Sequence, residues 1–561
     1  MRLLSRLGYL RYAFKRVQVL FLLAGLTVFL GGGIALLPPY LTKLMFDRGV
    51  ATGDEGAIVL YGLLAAGAYL LGSALRIADT VLSSIAGSHF IMHLKRQAME
   101  RLLQMQLEFF DKHQSGYLVK QLDQVSQLGG LVSPVLFTFV SGLIQGVGAL
   151  LLILRISVEV AVIALPFMVA FFFLAKKVAL HLEETTGQLM ELGAHAQGSV
   201  QETISGIAEI KQSTAESRKA EESTKHFAGI AGQEIRQSLG IGVGTGTVEF
   251  LAYLLTVLVT ILSGIFIVRE RLTVGDYLAL VAYISQLTLP ALAFSSLLMV
   301  TRPAIAAFKR LAPLFDGATE SEFGGNKVVS ALIGDISFAD VSFAYESGKE
   351  PVLQSCSFDI APGECVALLG KNGAGKSTIV RLMLGFYSQY QGGIFFDGTE
   401  LRDYNLSSLR QRVGIVSQSV TIFTGSLWDN VKMSRPSAYK EEVESVLDLS
   451  GCTELFKGLL GDMQITEGGK NLSGGQRQAI SIARCLLKNP DVLIFDEATT
   501  HLDTHARQIV IHAFKHVFSR KTRILITHDE DVAKIADAFL HLEGGTITRH
   551  EHFPSSSYQE G

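Results

Sequence analysis

The sequence predicts two unlike halves: an α-helical membrane domain of six spans, then an α/β domain in which short buried strands alternate with helices. Three observations carry this. Of 561 residues 48% are hydrophobic and only 18% charged, whereas soluble domains carry about 25% charge. The apolar residues gather in the first 310 positions, in stretches long enough to cross about 30 Å of hydrocarbon with about 20 residues each. Beyond residue 336 the pattern changes to β-rich runs separated by helical stretches. The net charge of −3, with neither half strongly basic, excludes a nucleic-acid partner. Cys356, Cys365, Cys452 and Cys485 all lie in the polar half without CxxC spacing, so neither a disulfide framework nor a zinc site is expected, and a reducing compartment fits.

The elements follow in chain order. Residues 1–16 carry Arg2, Arg6, Arg11, Lys15 and Arg16 and read as an amphipathic segment at the membrane surface. Within the membrane domain, 17–310, six apolar stretches run over about 17–45, 57–80, 131–154, 158–180, 247–268 and 276–300. The connections 46–56, 155–157 and 269–275 are short and hold only Arg48, Arg155, Arg269 and Arg271, while the opposite flanks hold most of the Lys and Arg. Those flanks therefore face the cytoplasm, with both termini. The two long cytoplasmic connections, about 81–130 and 181–246, keep helical spacing (Leu94, Met99, Leu102, Leu103, Met105), so the spans should continue as helices beyond the bilayer. At about 1.5 Å per residue, 25 residues of helix reach on the order of 35 Å.

Few polar residues interrupt the spans. Arg76 and Asp79 are three apart on one helix face and are expected to pair. Glu249 and Gln286 are candidates to line a substrate pathway, because intramembrane polar groups mark such routes by default.

Residues 311–336 lose the membrane hydropathy and carry Gly317, Gly324 and Gly325, which reads as a linker into a domain spanning 337–547, with a tail at 548–561. In that domain the apolar run Glu364–Leu369 leads directly into Gly370, Lys371, Asn372, Gly373, Ala374, Gly375, Lys376, Ser377 and Thr378, which is the GxxxxGK[ST] pattern. Glycines let backbone N–H groups approach and cradle phosphate oxygens, Lys376 neutralises the β and γ phosphates, and the Ser377 hydroxyl can ligate Mg²⁺. A second apolar run, Val492–Phe495, delivers Asp496 and Glu497 to its end, which suits a metal-directed aspartate followed by a general base for water.

Upstream of that strand, Leu472-Ser473-Gly474-Gly475-Gln476 resembles the signature of ATP-binding-cassette transporters. Six spans followed by one cassette resemble a half-transporter of the type I exporter architecture, with the cassette resemblance covering about 337–547. It implies an α/β P-loop NTPase fold with a helical subdomain. It also implies roles for residues matched by position. Tyr345 would stack on adenine, Gln418 would contact Mg²⁺ and sense the membrane domain, and His528 would approach the γ phosphate. Asp503 would follow the carboxylate pair, although Thr500-His501 stands where the family usually has Ser-Ala. Ser473, Gly475 and Gln476 would contact the ATP held by a second chain. Glu108–Asp111 with Gly116, and Gln201–Glu216, resemble cytoplasmic loops that end in coupling helices.

The resemblance further implies ATP and Mg²⁺ as cofactors, with ATP hydrolysis coupled to translocation of an amphipathic substrate (lipid, peptide, glycolipid or drug), in the export direction. The alternatives it leaves open are an exporter-fold importer and an ATP-gated regulator. Because Lys376, Ser473, Glu497 and His528 are all present, a homodimer is favoured over a heterodimer.

Overall fold

The computed structural model describes residues 2–113, 115–345, 350–456, 463–497, 507–508, 511–527 and 530–553. These divide into two compact units, one of residues 1–103 and 115–317, the other of 104–114 and 318–561.

The first unit is helical. Arg2–Ile34 (α1) is a single helix with no break near residue 16, followed by Leu37–Met45 (α2), Glu55–Leu103 (α3) and, after Leu107–Lys112 (α4) of the second unit, Ser115–Val125 (α5). Pro134–Ile156 (α6), Val158–Ser205 (α7), Ile207–Gln212 (α8), Glu216–Val268 (α9), Val274–Leu287 (α10), Leu289–Arg310 (α11) and Ala312–Asp316 (α12) complete it. Among the described residues six helical stretches are long and apolar enough to cross a membrane: 8–50, 55–103, 116–156, 158–205, 216–268 and 274–310. Helices α3, α7 and α9 have 49, 48 and 53 residues, and a bilayer takes about 20 of these, so each span runs on into the cytoplasm as its periodicity predicts.

The interruption between α1 and α2 has a chemical cause. Pro39 lacks the N–H that would reach back to the Ala35 carbonyl, and the Gln286 amide donates to that carbonyl instead, at 3.1 Å. Tyr283 OH donates to the next one, Leu36, at 3.0 Å. In hydrocarbon a freed carbonyl must find such a substitute. The expected Arg76–Asp79 pair is a correction. No ion pair joins them among the described residues, and the Asp79 Oδ1 atom is buried without a hydrogen-bond partner. Spacing on one helix face permits a pair, but rotamers and packing decide it.

In the second unit, Ile336–Phe343 (β1) lies between Leu353–Ile360 (β2) and Gln391–Phe396 (β4) in an antiparallel sheet ordered β2-β1-β4-β5, with Thr399–Glu400 as β5. A six-stranded sheet, ordered β12-β11-β3-β10-β9-β6, is built from Cys365–Leu369 (β3), Val413–Val416 (β6), Val492–Asp496 (β9), Thr522–Ile526 (β10), Ala538–Glu543 (β11) and Thr546–His550 (β12). Strands β3, β9 and β10 read CVALL, VLIFD and TRILI and are buried almost throughout, as parallel strands covered on both faces must be. The main core holds Phe338, Phe396, Val366, Ile494 and Ile524. A separate core, with Leu427, Val443, Leu447, Ile480 and Leu487, joins Leu427–Lys432 (α15), Lys440–Leu449 (α16), Cys452–Leu455 (α17) and Gly474–Lys488 (α18), forming the helical subdomain. Between β3 and β6 in sequence lie Lys376–Met383 (α13) and Leu406–Arg412 (α14), and Gly425–Ser426 (β7) pairs with Gln464–Ile465 (β8). All four cysteines are free and buried.

Candidate nucleotide site

Strand β3 ends at Leu369 and the chain turns through Gly370–Gly375 into α13. Gly370, Gly373 and Gly375 all have positive φ, and the first and last show why the turn demands glycine. Gly370 has φ +151, and a Cβ there would lie 2.5 Å from the Leu542 carbonyl oxygen. Gly375 caps α13 with φ +111, in the left-handed region that L side chains avoid. The result is a loop whose N–H groups open onto a helix N-terminus, the arrangement that holds phosphate. The Lys376 ammonium folds over this loop, donating to the Gly370 carbonyl at 2.6 Å and the Lys371 carbonyl at 3.1 Å. Burial lowers its pKa, and the charges of Glu497 and Asp496 oppose that shift.

Strand β9 pairs with β10, and β10 pairs with β3, all parallel. The carboxylates at the end of β9 and the loop after β3 therefore emerge at the same C-terminal sheet edge, where open α/β sheets bind ligands. Asp496 has its pKa raised by burial and by Glu497, with Lys376 and Arg381 pulling it down. A divalent cation here would remove that penalty. Glu497 has φ +49, its N–H donates to the Ile526 carbonyl at 2.9 Å, and its carboxylate accepts from the Gln418 amide at 2.7 Å. A non-glycine residue in this conformation is strained, and such strain concentrates at active sites. The sheet brings Gln418, just beyond β6, to Glu497, and leaves the Gln418 side-chain carbonyl available to a cation.

Tyr345, two residues beyond β1, is half-buried. Its hydroxyl is 2.9 Å from Thr378 Oγ1, Arg381 donates to it at 3.4 Å, and its ring meets Tyr387 edge-on, at 5.3 Å between centroids. With Tyr345 proposed to stack on adenine, its replacement by Ala should raise the apparent ATP requirement by removing a ring contact worth roughly 0.5–1.5 kcal/mol beyond its area. Phe or Trp should be tolerated, as ATP titrations of the three variants would show, and equal behaviour of Ala and Phe would take stacking away from this residue.

Tyr387 is the residue that sequence reasoning missed. Its hydroxyl donates to the Asp111 carboxylate of α4, and its pKa is raised by burial and then by Asp111. Gln106, just before α4, donates to Ser388 Oγ at 3.2 Å, and the backbone of Glu320 donates to Gln104 at 2.9 Å. Segment 104–114, which reads as the first loop's coupling helix, is thus packed into the same unit as the cassette, one residue from the ring that touches Tyr345. No motif marks Tyr387; only the folded arrangement pairs it with Asp111.

Ser473 caps α18. Its hydroxyl accepts from the Gln476 N–H at 3.2 Å, and its own N–H donates to the Gln476 side chain at 2.9 Å. Gln476 also donates to the Leu455 carbonyl. The Ser473 hydroxyl proton and the helix N-terminus of Gly474 and Gly475 remain available to an anion. Among the described residues no hydrogen bond of Ser473, Gly475 or Gln476 reaches the loop 370–378. His528, Asp503 and His501 lie outside the described residues. In the membrane unit Glu249 is exposed, while Gln286 holds Ala35 and keeps its Oε1 buried without a partner.

A sheet that brings a phosphate cradle and two adjacent carboxylates to one edge is built to hydrolyse a nucleoside triphosphate, and six membrane spans on the same chain make it an ATP-driven membrane translocator. Residues 21–291 match the family model described as the ABC transporter transmembrane region, and residues 353–500 that described as ABC transporter. The chain belongs to the ABC transporters, with one six-span membrane domain fused to one ATP-binding cassette. It is an integral, multi-pass membrane protein whose cassette is cytoplasmic, and an ATP hydrolase coupled to transport.

Among its relatives is the ATP-dependent lipid A-core flippase of Chromobacterium violaceum, 28% identical over 522 residues, which cover 91% of this chain and 89% of that protein. The Vibrio vulnificus protein of the same name is 27% identical over 523 residues, covering 90% and 88%. The fold resembles that of a bacterial Atm1-family ABC exporter with ATP bound, with TM-score 0.82, 23% identity, and 96% and 95% of the two chains covered.

Proposed function

We propose that this protein exports a lipid, drawing it from the cytoplasmic side, as a homodimer whose two composite sites each hydrolyse ATP with Mg²⁺. The observation that carries the ATP cycle is the meeting of Lys376, Asp496, Glu497 and Gln418 at one sheet edge, with Ser473 hydrogen-bonded, among the described residues, within its own helix. The lipid assignment rests on the flippase relatives, which align over most of the chain.

The donor set fits a hard cation. Ser377 Oγ, an Asp496 carboxylate oxygen and the Gln418 carbonyl are all oxygens, which suit Mg²⁺ together with phosphate and water. When bound, Mg²⁺ would stabilise charge on the transferring phosphoryl group. The remaining steps belong to the chain's own residues. Lys376 orients the β and γ phosphates. Glu497, held by Gln418, accepts a proton from the attacking water. Ser473 of a second copy donates to the γ phosphate from the opposite face, and its helix N-terminus adds a positive dipole end. His528 and Asp503 complete the assignment as the γ-phosphate and inter-site residues. Closing of two cassettes on ATP would pull on α4, and alternate access in the spans would follow. An importer or a purely ATP-gated regulator is not favoured: the relatives are ATP-dependent flippases, and gating alone needs no hydrolytic base such as Glu497.

The test is reconstitution in liposomes, with ATP added on the cassette side and movement of fluorescent lipids between leaflets measured. Translocation that stops in Glu497→Gln supports the reading, and ATP turnover with no lipid moved under any lipid composition contradicts it. Glu249 and Gln286 are assigned to the substrate pathway. Replacing each by Ala should change lipid-stimulated hydrolysis more than basal hydrolysis. For Gln286, whose amide also holds Ala35, parallel loss of both activities with loss of folded protein would make it a structural tie instead.

A further inference from the structure

We infer that the cleft between α7 and α9 at the cytoplasmic membrane boundary binds the headgroup of an acidic phospholipid of the inner leaflet. The cleft has a volume of about 800 Å³ and runs along Leu174–Gln188 of α7 and Gln233–Thr247 of α9. The fourth apolar stretch ends near 180 and the fifth begins near 247, so the cleft straddles the point where both helices leave hydrocarbon. Its lining is graded accordingly. Leu174, Val178, Val243 and Thr247 line the membrane end, with Lys177 at their level, and His181, Glu184 and Arg236 the cytoplasmic end.

Two features make this a built site. Gly240 and Gly244 let the α7 side chains lie against α9, since a Cβ on Gly240 would stand 2.5 Å from His181 Cδ2 and one on Gly244 2.4 Å from Val178 Cγ2. The cytoplasmic end is fixed by Gln233, which is buried and donates to Gln188 at 2.8 Å, and by Gln237, which donates to Thr186 at 2.7 Å. Against this ordered frame, the side chains of Lys177, His181, Glu184 and Arg236 make no hydrogen bond or ion pair with any described residue.

Charge complementarity selects the occupant. Lys177 and Arg236 outnumber Glu184, the cytoplasmic leaflet is negatively charged, and basic pockets between helices on that side suit phosphate headgroups with an acyl chain continuing along the apolar wall. A guanidinium and an ammonium each suit a phosphodiester. The lone carboxylate, Glu184, accepts from headgroup hydroxyls, which favours phosphatidylglycerol. The inference rests on the membrane orientation, not on the transported molecule being a lipid. A chain that held phosphatidylglycerol here and moved none would still satisfy it.

The experiment uses the full chain in nanodiscs of phosphatidylcholine with graded phosphatidylglycerol and no ATP, and counts retained phospholipid by native mass spectrometry. Wild type should retain phosphatidylglycerol, and the double variant Lys177→Gln with Arg236→Gln should need at least tenfold more of it, with unchanged thermal unfolding and unchanged basal ATP hydrolysis in neutral lipid. Gly240→Leu, which fills the cleft from the opposite helix, should act in the same direction. Inorganic phosphate should not displace the lipid; displacement at millimolar phosphate would mean a simple anion site and overturn the lipid assignment. Equal retention by wild type and the double variant, or equal retention of phosphatidylcholine, would overturn it too. So would a double variant that alters dimer dissociation and leaves phosphatidylglycerol retention unchanged, because the cleft would then be covered by a second copy.

Discussion

The Glu497→Gln variant should bind ATP as tightly as the wild type and hydrolyse it about two to three orders of magnitude more slowly, within the range that general-base catalysis contributes. Glu497 projects from the end of β9 in a left-handed conformation at φ +49, its backbone is tied to Ile526 and its carboxylate is held by Gln418 at 2.7 Å. Glutamine keeps the shape and the contact to Gln418 but cannot take a proton from water. In the proposed site Lys376 and the loop from Gly370 hold the phosphates, so nucleotide affinity should not depend on the lost charge. Isothermal titration with ATP and a phosphate-release assay on one preparation separate the two effects. Near-normal turnover would remove Glu497 from the role of base, whereas weakened binding alone would make it a structural ligand.

Lys376→Ala should do the opposite, weakening ATP binding by about ten- to a hundredfold, the equivalent of losing a charged hydrogen bond worth about 1.5–3 kcal/mol. In the structure the ammonium donates to the Gly370 and Lys371 carbonyls, so it is placed over the loop before any phosphate arrives. Burial already disfavours its charged form, and this cost is recovered when phosphate oxygens surround it. Hydrolysis should fall mainly through occupancy, and saturating ATP should restore part of it. An unchanged dissociation constant with abolished turnover would reassign Lys376 to the transition state alone.

Much of this site is legible in the sequence because its chemistry constrains consecutive residues. A buried strand, a glycine-rich turn and Lys376 must adjoin for backbone N–H groups to meet phosphate, and Asp496-Glu497 must follow a second buried strand to reach the same edge. The helical reach of α3, α7 and α9 is legible for a similar reason, since apolar periodicity persists past the span. What was hidden depends on contacts between distant residues. Tyr387 and Asp111 are brought together only by the folded chain, and nothing near either position announces the other. Gln286 reads as a pathway residue because it is polar and intramembrane, yet its amide replaces the N–H that Pro39 cannot supply. Arg76 and Asp79 have the spacing of a pair without making one, because one helix face offers several rotamers and the packing around it chooses.

We propose that one chain cannot assemble a complete ATP site and that its Ser473 serves a nucleotide held by another copy. Mixed dimers test it most directly. Chains bearing Ser473→Arg are co-assembled with chains bearing Lys376→Ala, so that each mixed dimer carries both lesions in one composite site and leaves the other whole. ATP hydrolysis is then compared with that of each parent at equal total protein. At limiting ATP the mixture should hydrolyse faster than either parent. Full activity in a demonstrably monomeric wild-type preparation, or a mixture no faster than its parents, would contradict it.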